Sequence, residues 1–305
     1  MLLFLEQLLN GLQQGVMLFL LAAGLTLVFG IMGLINLAHG SLYMLGAFLC
    51  AATLSATGSF ALGVLAALAG CALAGLLVES LVLRRLYARR HLDQVLATFG
   101  LILFFNEAVR LVWGPRPLFV AMPEALAGTV ELLPGAPYPI YRLAIIAAGA
   151  AVAAGLWWLV GHTRLGMQMR AGAADREMLG ALGVDSRRLY AAVFALGALL
   201  AGLAGALAGP LFAVQVGMGE NILILTFVTI VIGGIGSIRG AVAGALLVGL
   251  TDTLGRAYLP TVLRLVTDPA TADGVGSALA SLLIYLLMAV VLVWRPTGLL
   301  AAHGR

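Results

Sequence analysis

The sequence predicts an all-α fold, a polytopic bundle of about eight to ten transmembrane helices. Three observations predict it. Hydrophobic residues make up 62% of the chain and charged residues 10%, too few to cover a soluble domain, where about a quarter are charged. Apolar stretches near the ~20 residues of a bilayer crossing recur along the whole length. The basic residues are all arginine and gather in a few places.

In chain order, the apolar stretches place spans roughly at 11–33, 40–57, 61–83, 94–113, 139–160, 189–212, 221–238, 240–258 and 277–294. Segments 34–40 and 233–240 are rich in glycine and polar residues. Either one being broken or re-entrant changes the count to eight or ten. Residues 1–305 read as a single transmembrane domain with no soluble domain appended. No cationic segment precedes the first apolar run, because the first arginine is Arg84; this predicts no cleaved signal peptide.

Arginine sets the orientation. Arg84, Arg85, Arg89 and Arg90 form one cluster; Arg164, Arg170, Arg176, Arg187 and Arg188 fall in the loop 161–188; Arg295 follows the last span. By the positive-inside rule all three regions are cytoplasmic. An odd number of spans then puts the N-terminus outside and the C-terminus in the cytoplasm. The loop 114–138 is the main outer connection. Its five prolines and mixed charge predict an extended, water-exposed segment. The net charge of +4 marks membrane orientation, not nucleic-acid binding; the surrounding partner is membrane lipid.

Four stretches carry chemistry. In "INLAHGSLYMLGAF" (35–48), Asn36, His39, Ser41 and Tyr43 interrupt an apolar run. His39 and Ser41 are two apart and do not share a helix face, which disfavours a nucleophile–base pair. Two readings stand: small polar groups bonded across a helix contact, or a patch lining a hydrated translocation pathway. In "RAGAADREMLGALGVD" (170–185), Ala173–Leu182 predicts a short helix ended at Gly183, with Asp185 and Ser186 capping the next. Met178, Leu179 and Leu182 give it an apolar face; Arg170, Asp175, Arg176 and Glu177 supply charge. A helix this short needs a partner, either the membrane surface or another protein. In "VIGGIGSIRGAVAGALLVG" (231–249), Gly236, Gly240 and Gly244 repeat at i, i+4, a helix-packing pattern, and Arg239 marks a cytoplasmic turn. Asn106, Glu107 and Arg110 lie in the outer half of the fourth span, where Glu107 and Arg110 are spaced for an ion pair.

The chain has no phosphate-binding loop, no nucleotide fingerprint and no metal-spaced His/Cys cluster. Cys50 and Cys71 read as small packed hydrophobes. No catalytic residue, metal or cofactor is implied, so a transporter driven by ATP must hydrolyse it on another polypeptide.

Four segments carry a family resemblance: "GLTLVFGIMGLINLAHGSLYMLGAF" (24–48), "TRLGMQMRAGAADREMLGALGVD" (163–185), "VIGGIGSIRGAVAGALLVG" (231–249) and "WRPTGLL" (294–300). In this order they resemble the LivH-like inner-membrane permeases of branched-chain amino-acid ABC importers. The resemblance implies a type II ABC importer-like fold and a complex with a LivM-like second permease, two cytoplasmic ATPase subunits and a periplasmic solute-binding protein. By the same resemblance, Arg170, Asp175, Arg176, Glu177, Met178, Leu179, Leu182 and Gly183 belong to the ATPase-coupling segment. Close relatives carry urea, amides or aromatic acids, so the solute stays open. A secondary transporter is the other class. It should show inverted repeats and a mid-membrane carboxylate, whereas Glu79 and Glu107 sit toward span ends.

Overall fold

The computed structural model of the chain describes residues 2–87, 89–133 and 136–301. Its helices are α1 (Leu2–Met32), α2 (His39–Thr57), α3 (Phe60–Leu81), α4 (His91–Trp113), α5 (Ile140–His162), α6 (Arg164–Ala174), α7 (Arg176–Ala181), α8 (Ser186–Ala208), α9 (Met218–Gly233), α10 (Ile238–Leu263) and α11 (Pro269–Trp294). Among the described residues eight helices are long and apolar enough to cross a membrane. The ninth apolar helix, α9, has only 16 residues. In hydrocarbon every backbone N–H and C=O must be satisfied internally, and a continuous helix does this at least cost.

The terminal helices run longer than apolarity alone predicts. The first begins at Leu2 rather than 11. The last begins at Pro269 rather than 277, because the Asp268 carboxylate accepts from the Thr271 N–H and Pro269 suits the first turn. The outer loop 114–138 is also more ordered than an extended connection. It contains a 3-10 turn (Glu124–Leu126) and an antiparallel hairpin of β1 (Thr129–Leu133) and β2 (Ala136–Pro139). A two-stranded ribbon has only edge strands, which tolerate the prolines of β2.

The chain forms two compact units, Met1–Phe19 with Glu124–Ala150 and Leu225–Ala302, and Leu20–Pro123 with Ala151–Ile224. In the first unit the hairpin is tied to α1: the Tyr138 hydroxyl donates to Asn10 Oδ1 at 3.2 Å, and Arg142 donates to the same oxygen. The segment 233–240 is the tight turn of an α9–α10 hairpin. Gly234 and Gly236 have positive φ, and Ser237 caps α10 by accepting from the Gly240 N–H. Gly240 and Gly244 lie against Gly233 and Thr229. Gly236 stands in the turn, outside the helix face to which the i, i+4 spacing assigns it.

The chain beyond α11 folds back on this hairpin. The N–H groups of Leu299 and Leu300 donate to the carbonyls of Ile232 and Gly233, both at 2.9 Å. The "WRPTGLL" segment thus satisfies two carbonyls that the end of α9 leaves without intrahelical donors.

In the second unit α2, α3 and α8 pack through small residues. A Cβ at Gly202 would lie 2.7 Å from Cys71, one at Gly75 2.5 Å from Ala198, and one at Gly63 2.9 Å from the Cys50 carbonyl. Lipid is as apolar as leucine, so helix association rests on such close van der Waals contact. Cys50 and Cys71 are both buried in this packing.

Candidate functional site

The polar segment 36–43 opens the second unit. The chain leaves α1 at Met32 and turns back, so that α2 begins beside the middle of α1. The His39 Nε2–H donates to the carbonyl of Leu21 at 3.1 Å, about three turns before α1 ends. Asn36 Oδ1 accepts from the Ala38 N–H at 3.1 Å, a local turn that starts α2. Asn36 and His39 are fully buried, Ser41 and Tyr43 nearly so. All four are therefore inside the chain's own packing in this conformation. Asn36 Nδ2 and His39 Nδ1 are buried without partners.

The start of α9 meets the start of α2. A Cβ at Gly40 or Gly219 would strike the backbone of the other, so only glycine permits the approach. The Gly217 N–H lies 3.4 Å from the Met44 sulfur. One residue further, Glu220 accepts from Asn106 Nδ2 on α4 at 2.6 Å. The segment leading into α9 is also bridged to the outer loop, through reciprocal bonds between Leu118 and Val214 at 2.8 and 2.9 Å. Neither Glu220 nor this bridge was expected from the sequence. A signal existed: Glu220 is the one charged residue between Arg188 and Arg239. Asn106's neighbours on α4 pair as their spacing suggests, Arg110 to Glu107 at 2.9 Å, on an exposed face.

The segment between α5 and α8 is two helices rather than the single one expected over 173–182. Asp175 breaks the run. It has extended backbone (φ −150°, ψ 111°), and its side chain caps α7 by accepting from the Met178 N–H at 2.9 Å. Aspartate gains more as a cap than inside a helix, which explains the break. Gly183 follows α7 with φ +81°. The Asp185 carboxylate then accepts from the N–H groups of Arg187 and Arg188 to start α8.

Leu179 points inward. It is buried and packs over Gly172, near Leu189 and Ile31. Met178 and Leu182 are 57% and 73% exposed, and Arg170 and Asp175 are exposed too. The apolar face is thus split: Leu179 is buried against Gly172 of α6, while Met178 and Leu182 face outward. The side chains of Arg176 and Glu177 lie outside the described residues.

Residues 7–292 match the family described as branched-chain amino acid transport system, permease component. The chain belongs to this family. It is similar to the high-affinity branched-chain amino acid transport system permease protein BraD of Pseudomonas aeruginosa, 33% identical over 97% of this chain and 95% of that one. The LivH protein of Escherichia coli K12, described in the same words, is 30% identical with the same coverage. A probable LivH permease of Methanocaldococcus jannaschii is 26% identical over 94% of this chain and 88% of its own. No solved structure matches. The chain is accordingly a multi-pass membrane protein and a non-catalytic transmembrane subunit that works with the other components of an ABC transport system.

This permease component also buries one carboxylate near the start of α8, which follows its 161–188 loop. Glu79, inaccessible to solvent, receives Arg84 Nη2 at 3.0 Å and the Tyr87 hydroxyl at 2.9 Å. The Tyr87 ring stands edge-on to Tyr190 of α8 at 5.3 Å. Burial, and then the Glu79 carboxylate, hold the Tyr87 hydroxyl above its usual pKa, so it remains a donor at physiological pH. The cluster joins the end of α3 to the start of α8.

Proposed function

We propose that this permease carries branched-chain amino acids across the bacterial inner membrane, taking them from a periplasmic solute-binding protein. In this reading residues 1–305 act as one permease domain, beside a LivM-like second permease and above two cytoplasmic ATPase subunits. The loop 161–188 couples to an ATPase, and the loop 114–138 faces the periplasm. The two compact units share the continuous helices α1, α5 and α9, which supports treating them as one domain.

The single observation behind the coupling assignment is the construction of α6 and α7. Both are capped short helices, with Leu179 buried, that leave Met167, Met178 and Leu182 uncovered. Exposed apolar side chains at fixed geometry suit insertion into a partner's groove. Orientation rests on charge. Three helices precede the Arg84–Arg90 cluster, two separate it from the 161–188 loop, and four more lead to Arg295, counting α9 as a crossing. All three arginine-bearing regions then share one side, with the N-terminus periplasmic and the C-terminus cytoplasmic.

Cysteine crosslinking in the assembled complex tests the coupling assignment. Met178→Cys and Leu182→Cys should bond to cysteines in the ATPase, and Leu179→Cys should not. Crosslinks absent at 178 and 182, with both positions labelled by lipid-phase reagents, would make this a membrane-surface segment.

A further inference from the structure

Glu220 opens α9 as the only charge in an apolar run that extends from α8 to Arg239. Charges in such positions are costly and are kept where they pair or work. Among the described residues no basic side chain pairs with it; Arg110, on the α4 helix that carries Asn106, is committed to Glu107. Its one side-chain partner is Asn106. A carboxylate only accepts, so the amide must turn Nδ2 toward it and its carbonyl oxygen away. The bond therefore leaves two acceptors: Glu220 Oε2 and Asn106 Oδ1 are both buried and have no donor. Buried acceptors left unmatched are expensive, the more so for a charged one.

The location adds a second constraint. Glu220 follows Gly219, whose backbone abuts Gly40 beside His39, and His39 bonds the middle of α1. The unmatched acceptors thus belong to two part-buried side chains of the second unit, beside the place where α2 and α9 both begin. Chemistry that satisfies two adjacent acceptors of net negative charge is a multi-proton cationic donor. An ammonium group carries three N–H donors and one positive charge.

We propose that Glu220 and Asn106 form the station that receives the ammonium group of the amino acid in transit. This rests on the amino-acid transport reading above. Asn106 holds the carboxylate in place through Nδ2 and offers its carbonyl oxygen as the second acceptor. Two acceptors give a hold weak enough for release onward, as a transport path requires.

The test uses the complete complex in liposomes, with radiolabelled leucine delivered by the binding protein. Glu220→Gln keeps the size and a hydrogen bond to Asn106 but removes the charge; Glu220→Asp keeps the charge but shortens the reach. A charge role ranks Asp above Gln: uptake should fall about tenfold or more in Glu220→Gln and clearly less in Glu220→Asp, with both variants assembled. A purely structural bond ranks them in reverse. Uptake within twofold of wild type in Glu220→Gln, the reversed order, or failure of both variants to assemble would each overturn the station. A wild-type complex that takes up no leucine would instead sink the transport reading itself.

Discussion

A carboxylate buried as completely as that of Glu79 persists because three donor atoms on two side chains meet it: Arg84 Nε and Nη2 and the Tyr87 hydroxyl. Removing one partner of such a pair leaves the other uncompensated. Arg84→Ala should destabilise the permease, though by less than the loss of a fully buried partner, because the arginine is 39% exposed. Thermal unfolding in detergent measures this; an unchanged midpoint would mean that water already reaches Glu79. Gly202 presents the opposite case, a residue defined by having no side chain. A methyl there meets Cys71 at 2.7 Å and the Ala67 carbonyl at 3.1 Å. Gly202→Ala should overpack the α3–α8 contact at a cost of about 1–3 kcal/mol, whereas Gly100→Ala, with open space around it, should be neutral or slightly stabilising.

Among the elements, α7 distinguishes anchoring from docking. Leu179→Asp puts a charge against Gly172, Leu189 and Ile31, so it should lower permease stability. Leu182→Asp changes a side chain that is 73% exposed, so it should leave the permease intact and reduce co-purification of the ATPase. Gly183→Val should strain a φ of +81° by about 1–2 kcal/mol and misdirect α7 in the same way. Equal behaviour of the Leu179 and Leu182 variants would contradict the split face. What the sequence disclosed here follows from physical range. Gly183 and Asp185 were legible because caps are local, fixed within a few residues. The break at Asp175 was not, because cap and helix interior compete and a run of good helix formers masks the outcome. The inward turn of Leu179 depends on the space over Gly172 of the preceding helix, and no periodicity in α7 encodes it. Likewise Asn106 and Glu220 are 114 apart; only the isolation of Glu220 in apolar sequence hinted at a role. The helices themselves were plain, because apolar length fixes them, yet α9 and the segment before α2 escaped clean placement, since both begin well inside the bundle rather than at its edge.

For the whole molecule, the lack of any phosphate-binding loop and membership of the permease family put the energy source elsewhere in the complex. The chain should neither hydrolyse ATP nor concentrate solute alone. Three helices run through both units. The most direct measurement is concentrative leucine uptake into proteoliposomes that hold either this permease alone or the full set of second permease, ATPases and loaded binding protein. The expected result is uptake only with the full set and only with ATP inside the ATPase compartment. Uptake by the permease alone, driven by a proton or sodium gradient, would contradict its place in an ATP-driven importer.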